Sequence, residues 1–345
     1  MRKVRILSID GGGIRGVLAG EVLKRLEDKL QTKSETPNAK LADYFDFMAG
    51  TSTGGILSLC YLYPNEEGKP KYSAEDALNF YMEKGSSIFD RNTWQRIKSG
   101  DGVTDEKYSA KALEKALKET FGDTKLSELL KPCIISSYDI ANGKPHFFKQ
   151  ARANNDIYDF KVRDVARSTS AAPTYFETAL VENGIGTDYA LIDGGVFINN
   201  PALAAYSEVR NMHFEGIEKE APTAENMMIV SVSTGSKAQK YKYDKAKDWG
   251  MIQWIKPVLE IMMSGNSQTV DYHLKRIYDT LEDEHKRDYH RLDPQVISAN
   301  SEMDDASEDN LLKLKEDGLS YVSRSEVDQE LDQIVEKLID FGPET

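Results

Sequence analysis

Apolar positions follow two spacings along this chain, and its elements change where one spacing gives way to the other. Val4 to Ile9 is a short, mostly β-branched run that reads as a strand and runs into glycines at 11, 12, 13 and 16. Beyond them Leu18, Val22, Leu26 and Leu30 mark one helical face, while Glu21, Lys24, Arg25 and Asp28 mark the other. The same strand, turn and helix order recurs from Tyr44–Ala49 through Gly50-Thr51-Ser52-Thr53-Gly54 into Ile56–Cys60. Two such units predict an α/β chain with a parallel or mixed sheet and helices on its faces. Further strands are expected at Cys133–Ile140, with His146–Phe148 as hairpin partner, and at Ala190–Ile192 and Met228–Val232. Helical patterns run between Leu62 and Ser109, over Ser109–Phe121, onward from Pro201, and through most of the C-terminal third. That third closes in a helix where Ser325 and Asp328 have capping-box spacing, and the acidic, apolar-poor Ser301–Asp309 reads as a mobile loop.

Composition narrows the partners. With 345 residues, 40% of them hydrophobic, the chain can bury a large core. Lys+Arg 44 against Asp+Glu 57 gives a net charge of −13 with no basic run, which excludes nucleic acid as an expected partner and argues against docking on an anionic membrane by charge alone. Cys60 and Cys133 lie outside any metal-ligand spacing and read as buried thiols of a reducing, cytoplasmic compartment. The apolar stretch after Met1-Arg2-Lys3 breaks at Asp10, too early for a signal peptide, and the uncharged Phe47–Asn65 has Gly-Thr-Ser-Thr-Gly-Gly at its middle, unsuited to a membrane span. No metal or cofactor site is expected.

The turn Asp10-Gly-Gly-Gly-Ile-Arg-Gly16 admits several chemistries. Gly11, Gly13 and Gly16 match the dinucleotide fingerprint in its proper strand-to-helix setting, which keeps a nucleotide-binding module as an alternative. The acidic ribose anchor is missing, however, because the second strand ends in Gly50-Thr51-Ser52. A phosphate-cradling P-loop fails outright, since Val17 and Leu18 stand where Lys and Ser/Thr are needed. An oxyanion hole fits instead: successive glycines let backbone N–H groups approach a ligand atom, and a helix N-terminus adds positive potential there.

Gly50-Thr51-Ser52-Thr53-Gly54 has the G-x-S-x-G form of a nucleophile elbow, with Gly50 and Gly54 allowing the sharp turn and the Thr53 N–H able to join the oxyanion donors. A serine hydroxyl needs a base. None of His146, His213, His273, His285 and His290 is flanked by small turn residues at a strand end, although a Ser-His-Asp esterase using His273 or His290 stays open. Asp193 closes an apolar strand just before Gly194 and Gly195, which puts it at the carboxyl end of a sheet strand, the rim from which Ser52 should emerge. Desolvation would have to raise its ordinary value of about 3.9 for it to serve as a base.

Together the glycine turn, the elbow, Asp193-Gly-Gly195, the Ser-Ala-Ala-Pro of Ala166–Phe176 and Asn199-Asn200-Pro201 resemble the patatin-like phospholipases. The resemblance covers about residues 4–235. It implies a three-layer α/β/α fold with a central, mostly parallel mixed sheet, a catalytic core over 1–235 and a mainly helical extension over 236–345 packed on it. It also implies a Ser52–Asp193 dyad without histidine that hydrolyses phospholipids or other acyl lipids through an acyl-enzyme. Gly11, Gly12 and Gly13 would hold the oxyanion with Arg15 nearby, each such donor worth on the order of 3 kcal/mol of barrier. Such substrates bring transient contact with a membrane surface. Trp249–Met263 is rich in Trp, Met and Ile around Pro257. Because its apolar residues surround the helix, it reads as core packing, with a lid over the cleft or a lipid-facing lip as the alternative.

Overall fold

The computed structural model describes residues 2–89, 108–217, 221–235 and 241–342. One eight-stranded sheet runs in the order β5-β6-β3-β2-β1-β7-β8, with β4 paired to β3. The strands are β1 (Val4–Ile9), β2 (Phe47–Thr51), β3 (Cys133–Asp139), β4 (Lys144–Lys149), β5 (Ala179–Glu182), β6 (Asp188–Asp193), β7 (Met227–Val232) and β8 (Tyr289–Leu292). β1 pairs in parallel with β2 and β7, as do β2 with β3 and β7 with β8, whereas β4, β5 and β6 enter antiparallel. The principal helices are α1 (Gly16–Lys33), α2 (Thr53–Leu62), α3 (Ala74–Ile88), α4 (Lys111–Phe121), α5 (Val162–Thr169), α6 (Ala202–Val209), α7 (Met251–Asp279), α8 (Glu308–Val322) and α9 (Ser325–Asp340).

Strand alternation divides the interior into two cores, one on each face of the sheet. Leu7, Ile9 and Met48 face a core built with α1, α2, α3, α8 and α9; Val4, Ile6, Phe47 and Ala49 face a second one with α6 and the C-terminal half of α7. This is the three-layer α/β/α arrangement with a mostly parallel mixed sheet. Both thiols are free and buried, and burial pushes each up to about 12. Among the described residues no helix is long and apolar enough to cross a membrane.

Several elements differ from the sequence reading. Tyr44 ends a short helical turn, Leu41–Tyr44, rather than beginning β2. The part of the Leu62–Ser109 reading that falls on 90–107 lies outside the described residues. β8 lies in the stretch read as helical; its four residues are too few to show a period, and its place against β7 makes 289–292 part of the main sheet. The capping box expected at Ser325 is absent: only Ser323 and Arg324 separate α8 from α9, so Arg324 is the cap and its carbonyl accepts the Asp328 N–H at 2.9 Å. Ser301–Asp309 is tied down, with the Met303 carbonyl accepting the Ile14 N–H at 2.8 Å and the buried Asp304 accepting the Tyr108 hydroxyl at 2.6 Å.

The largest correction concerns α7. Its first turns are not core: Met251 is 85% exposed, Ile255 48% and Ile261 49%, and only the later turns, through Val270, Leu274 and Tyr278, are buried.

Candidate active site

Ser52 lies between β2 and α2 with φ 54° and ψ −124°, a left-handed conformation that a serine adopts only where its surroundings impose it. The turn depends on its glycines. A Cβ on Gly54 would come within 2.1 Å of the Ile9 carbonyl oxygen, and one on Gly50 within 2.3 Å of that of Gly54. The Ser52 N–H donates to Thr169 Oγ1 at 2.8 Å, and Thr169 Oγ1 donates to the Ser136 carbonyl at 2.6 Å, so α5 and β3 pin the strained residue. The hydroxyl therefore opens a helix, where the peptide dipoles of α2 favour negative charge.

Asp193 reaches Ser52 by a route the sequence did not reveal. β4 covers one edge of β3 from Ile134 to Asp139, and the other edge is shared: β2 pairs with residues 133–136, then β6 arrives from the opposite direction and pairs with 137–139. Thr51 is thus opposite Ser136 and Asp193 opposite Ser137, so the two strand ends abut. The site rim expected from a parallel sheet is formed instead by two strands meeting end to end. The Asp193 carboxyl is buried, and burial raises it to about 7, opposed by the nearby Ser52 hydroxyl and by the Gly195 N–H, which donates to it at 2.7 Å.

The oxyanion donors divide. The Gly11 N–H is used internally, donating to the Asn199 carbonyl at 3.0 Å, so the expectation that it holds an oxyanion does not fit this arrangement. The N–H groups of Gly12, Gly13 and Thr53 find no acceptor among the described residues. Gly13 and Thr53 line the Ser52 cavity, and the Thr53 hydroxyl donates to the Gly13 carbonyl at 2.6 Å, which links the two turns. Arg15 turns away: its Nε donates to the Gly12 carbonyl at 3.3 Å, and its side chain lines a neighbouring polar cavity of about 290 Å³ rather than the one holding Ser52. Arg15 ends the 3-10 turn Gly13–Arg15, and its hydrogen bond back to the Gly12 carbonyl holds it in that direction.

A cavity of about 70 Å³ opens over Ser52 and Asp193 between Ile56, Phe80, Ile88, Phe176, Leu259 and Met263, almost wholly apolar. No histidine lines it. His146 is packed among Phe148, Phe160 and Tyr189, where burial lowers it to about 4; His213 and His273 are exposed; His285 Nδ1 accepts from the Lys3 ammonium at 2.8 Å; and His290 pairs with Glu330. A Ser-His-Asp arrangement around Ser52 has no member to supply it. No group of acidic, His or Cys side chains suited to a metal ion occurs among the described residues.

Residues far along the chain complete the site. Asp10, at the head of the glycine turn, is held by the Arg291 guanidinium from β8 through contacts of 2.9 and 2.6 Å, and Ser267 of α7 donates to it at 3.2 Å. Asn199 Nδ2 donates to Ser267 Oγ at 3.0 Å and to the Gly11 carbonyl at 3.4 Å, while the Thr234 hydroxyl donates to that carbonyl at 2.7 Å. Asn199 was visible only as part of Asn-Asn-Pro. Arg291 and Ser267 carried no signal, because nothing in their local pattern distinguishes them from other polar residues.

Comparison with known proteins finds relatives over most of the chain. The family model described as patatin-like phospholipase matches residues 7–206. Patatin-like protein 2 of Oryza sativa subsp. japonica is 35% identical over 341 residues, 92% of this chain and 84% of its own. Patatin-like protein 1 of Arabidopsis thaliana is 34% identical over 95% of this chain and 84% of its own. A Solanum tuberosum relative named probable inactive patatin-3-Kuras 1 is 33% identical, covering 93% and 87%.

Proposed function

The chain belongs to the patatin-like phospholipase family, and on that premise we propose that it is a serine esterase cleaving the carboxylic esters of phospholipids or lysophospholipids through Ser52 and Asp193. Since one relative is named as inactive, the proposal rests on this chain's own residues. The observation that carries it is that a strained serine at the N-cap of α2 and a buried carboxylate raised to about 7 line the same apolar cavity.

In this reading Ser52 Oγ attacks the ester carbonyl as its proton passes to Asp193. Negative charge develops on the carbonyl oxygen beside Gly13 and Thr53, which line the cavity, and their N–H groups with that of Gly12 receive it, each such donor being worth on the order of 3 kcal/mol of barrier. Collapse breaks the bond to the alcohol, which takes the proton from Asp193; the acyl group stays on Ser52 until water, giving a proton to Asp193, attacks it, and the Ser52–acyl bond breaks as Asp193 returns that proton to Ser52 Oγ, freeing the fatty acid. The raised carboxyl suits both halves, because a base matched to neutral pH can accept and return a proton. The cavity wall of Phe80, Phe176, Leu259 and Met263 takes the acyl chain. Lipid substrates place the protein's work at or beside a membrane surface, from the cytoplasmic side.

The test is a defined panel of phospholipids, lysophospholipids and neutral glycerides, with released fatty acid as readout. Release from glycerophospholipids by the wild type, lost in Ser52→Ala and Asp193→Asn, is expected. No release from any member, or release that survives Ser52→Ala, would overturn the proposal.

A further inference from the structure

The exposed first half of α7 connects the cavity to the outside of the molecule. Leu259 and Met263 wall the space over Ser52, while on the same turns Trp254, Ile255, Val258 and Met262 face solvent. A run of large apolar side chains left open on a convex helix marks an interaction site rather than ordinary surface. Trp249 stacks edge-on between Tyr241 and Trp254, with ring centres 5.1 and 5.0 Å apart, and sets an aromatic base beneath those turns.

The chemistry around the patch selects the occupant. Just before the helix, exposed Lys242, Lys245 and Lys247 outnumber Asp244 and Asp248, and Tyr243 beside them is 78% exposed. This fringe is net positive on a chain whose total is −13. Apolar side chains bordered by Trp, Tyr and Lys match the boundary between acyl chains and anionic head groups, where aromatic rings span a wet and a dry layer and lysine stems reach outward. We propose that the first turns of α7 and the lysine fringe before them seat the protein on a phospholipid bilayer, so that lipid passes to Ser52 beside Leu259 and Met263 without crossing bulk water. The proposal rests on the esterase reading for its purpose, yet its test does not require turnover.

The experiment uses the full chain carrying Ser52→Ala, so that nothing is hydrolysed, in flotation with vesicles of phosphatidylcholine alone or mixed with phosphatidylglycerol. Flotation is expected with both and stronger with the mixture. Trp254→Ser combined with Ile255→Ser should weaken it at least about tenfold, since two half-exposed side chains would no longer enter the acyl layer. Lys242→Glu with Lys247→Glu should remove only the gain from phosphatidylglycerol. In chains with Ser52 intact, the same apolar substitutions should lower vesicle hydrolysis by the same factor and leave p-nitrophenyl butyrate hydrolysis within twofold. Flotation that is absent, or that is unchanged by Trp254→Ser with Ile255→Ser, overturns the proposal, as does a dimer in sedimentation that those substitutions dissolve. Flotation by a protein that never cleaves p-nitrophenyl butyrate would sink the esterase reading and leave the docking surface standing.

Discussion

A buried carboxylate with one hydroxyl and one amide to satisfy it keeps its proton more tightly than it would in water, and burial accordingly lifts Asp193 to about 7. Catalysis as a base needs the ionised form, so kcat/KM should rise with pH through a single titration near 7 and level off above it; a profile flat from pH 5 to 9 would count against Asp193 as the base. The same shift has a consequence for stability. The folded value lies above the unfolded one of about 3.9, so the protonated group stabilises the fold at low pH, and that contribution is lost as pH climbs from about 4 through 7. Asp193→Asn should therefore match the wild type in thermal denaturation at pH 4 and exceed it at pH 8. At this scale the sequence was informative where glycine neighbours mark a strand-end turn, as at Ser52 and Asp193, which line one cavity. It was misleading where a backbone partner decides, as at Gly11, whose N–H goes to Asn199, a residue 188 positions away.

At the scale of elements, the glycine turn is held from behind by strand β8 and helix α7. Arg291 and Asp10 form a two-contact pair almost out of solvent, and neither is replaceable alone. Arg291→Gln leaves a buried carboxylate without its counter-ion and should cost about 3–5 kcal/mol of stability, read by chemical denaturation, together with a fall in kcat as the turn loosens. Pairing it with Asp10→Asn should restore much of the stability. An Arg291→Gln protein as stable and as active as the parent would show that the pair does not hold the turn. The strands and helices with a clear period, such as β1, α1, β7 and α4, were legible because period 2 or 3.6 is written in their own residues. β8 was not, because four residues fit either period, and the antiparallel entry of β6 was not, because direction within a sheet is set by partners rather than by local sequence.

Across the whole molecule, the sheet continues past the segment the family resemblance covers. β8 closes the edge of β7, and α9 lays Leu331, Ile334 and Leu338 onto the first core. Ending the chain at residue 235 would uncover the edge of a fully buried strand and that apolar surface, so the shortened protein should aggregate on expression instead of folding as a smaller enzyme. A soluble, cooperatively unfolding 1–235 fragment would contradict this. The whole-chain charge of −13 hid the lysine fringe before α7, and helical wheel reasoning hid the exposure of its first turns because burial depends on what the sheet leaves uncovered. The claim on which the account turns is that Ser52 is activated by Asp193, and it is tested most directly by the rate at which a fluorophosphonate bonds to the protein, followed by intact mass and peptide mapping. The modification is predicted on Ser52 alone, slowed at least about a hundredfold by Asp193→Asn and unchanged by His273→Ala or His290→Ala; modification of Asp193→Asn at the parent rate, or its loss in either histidine variant, would contradict the account.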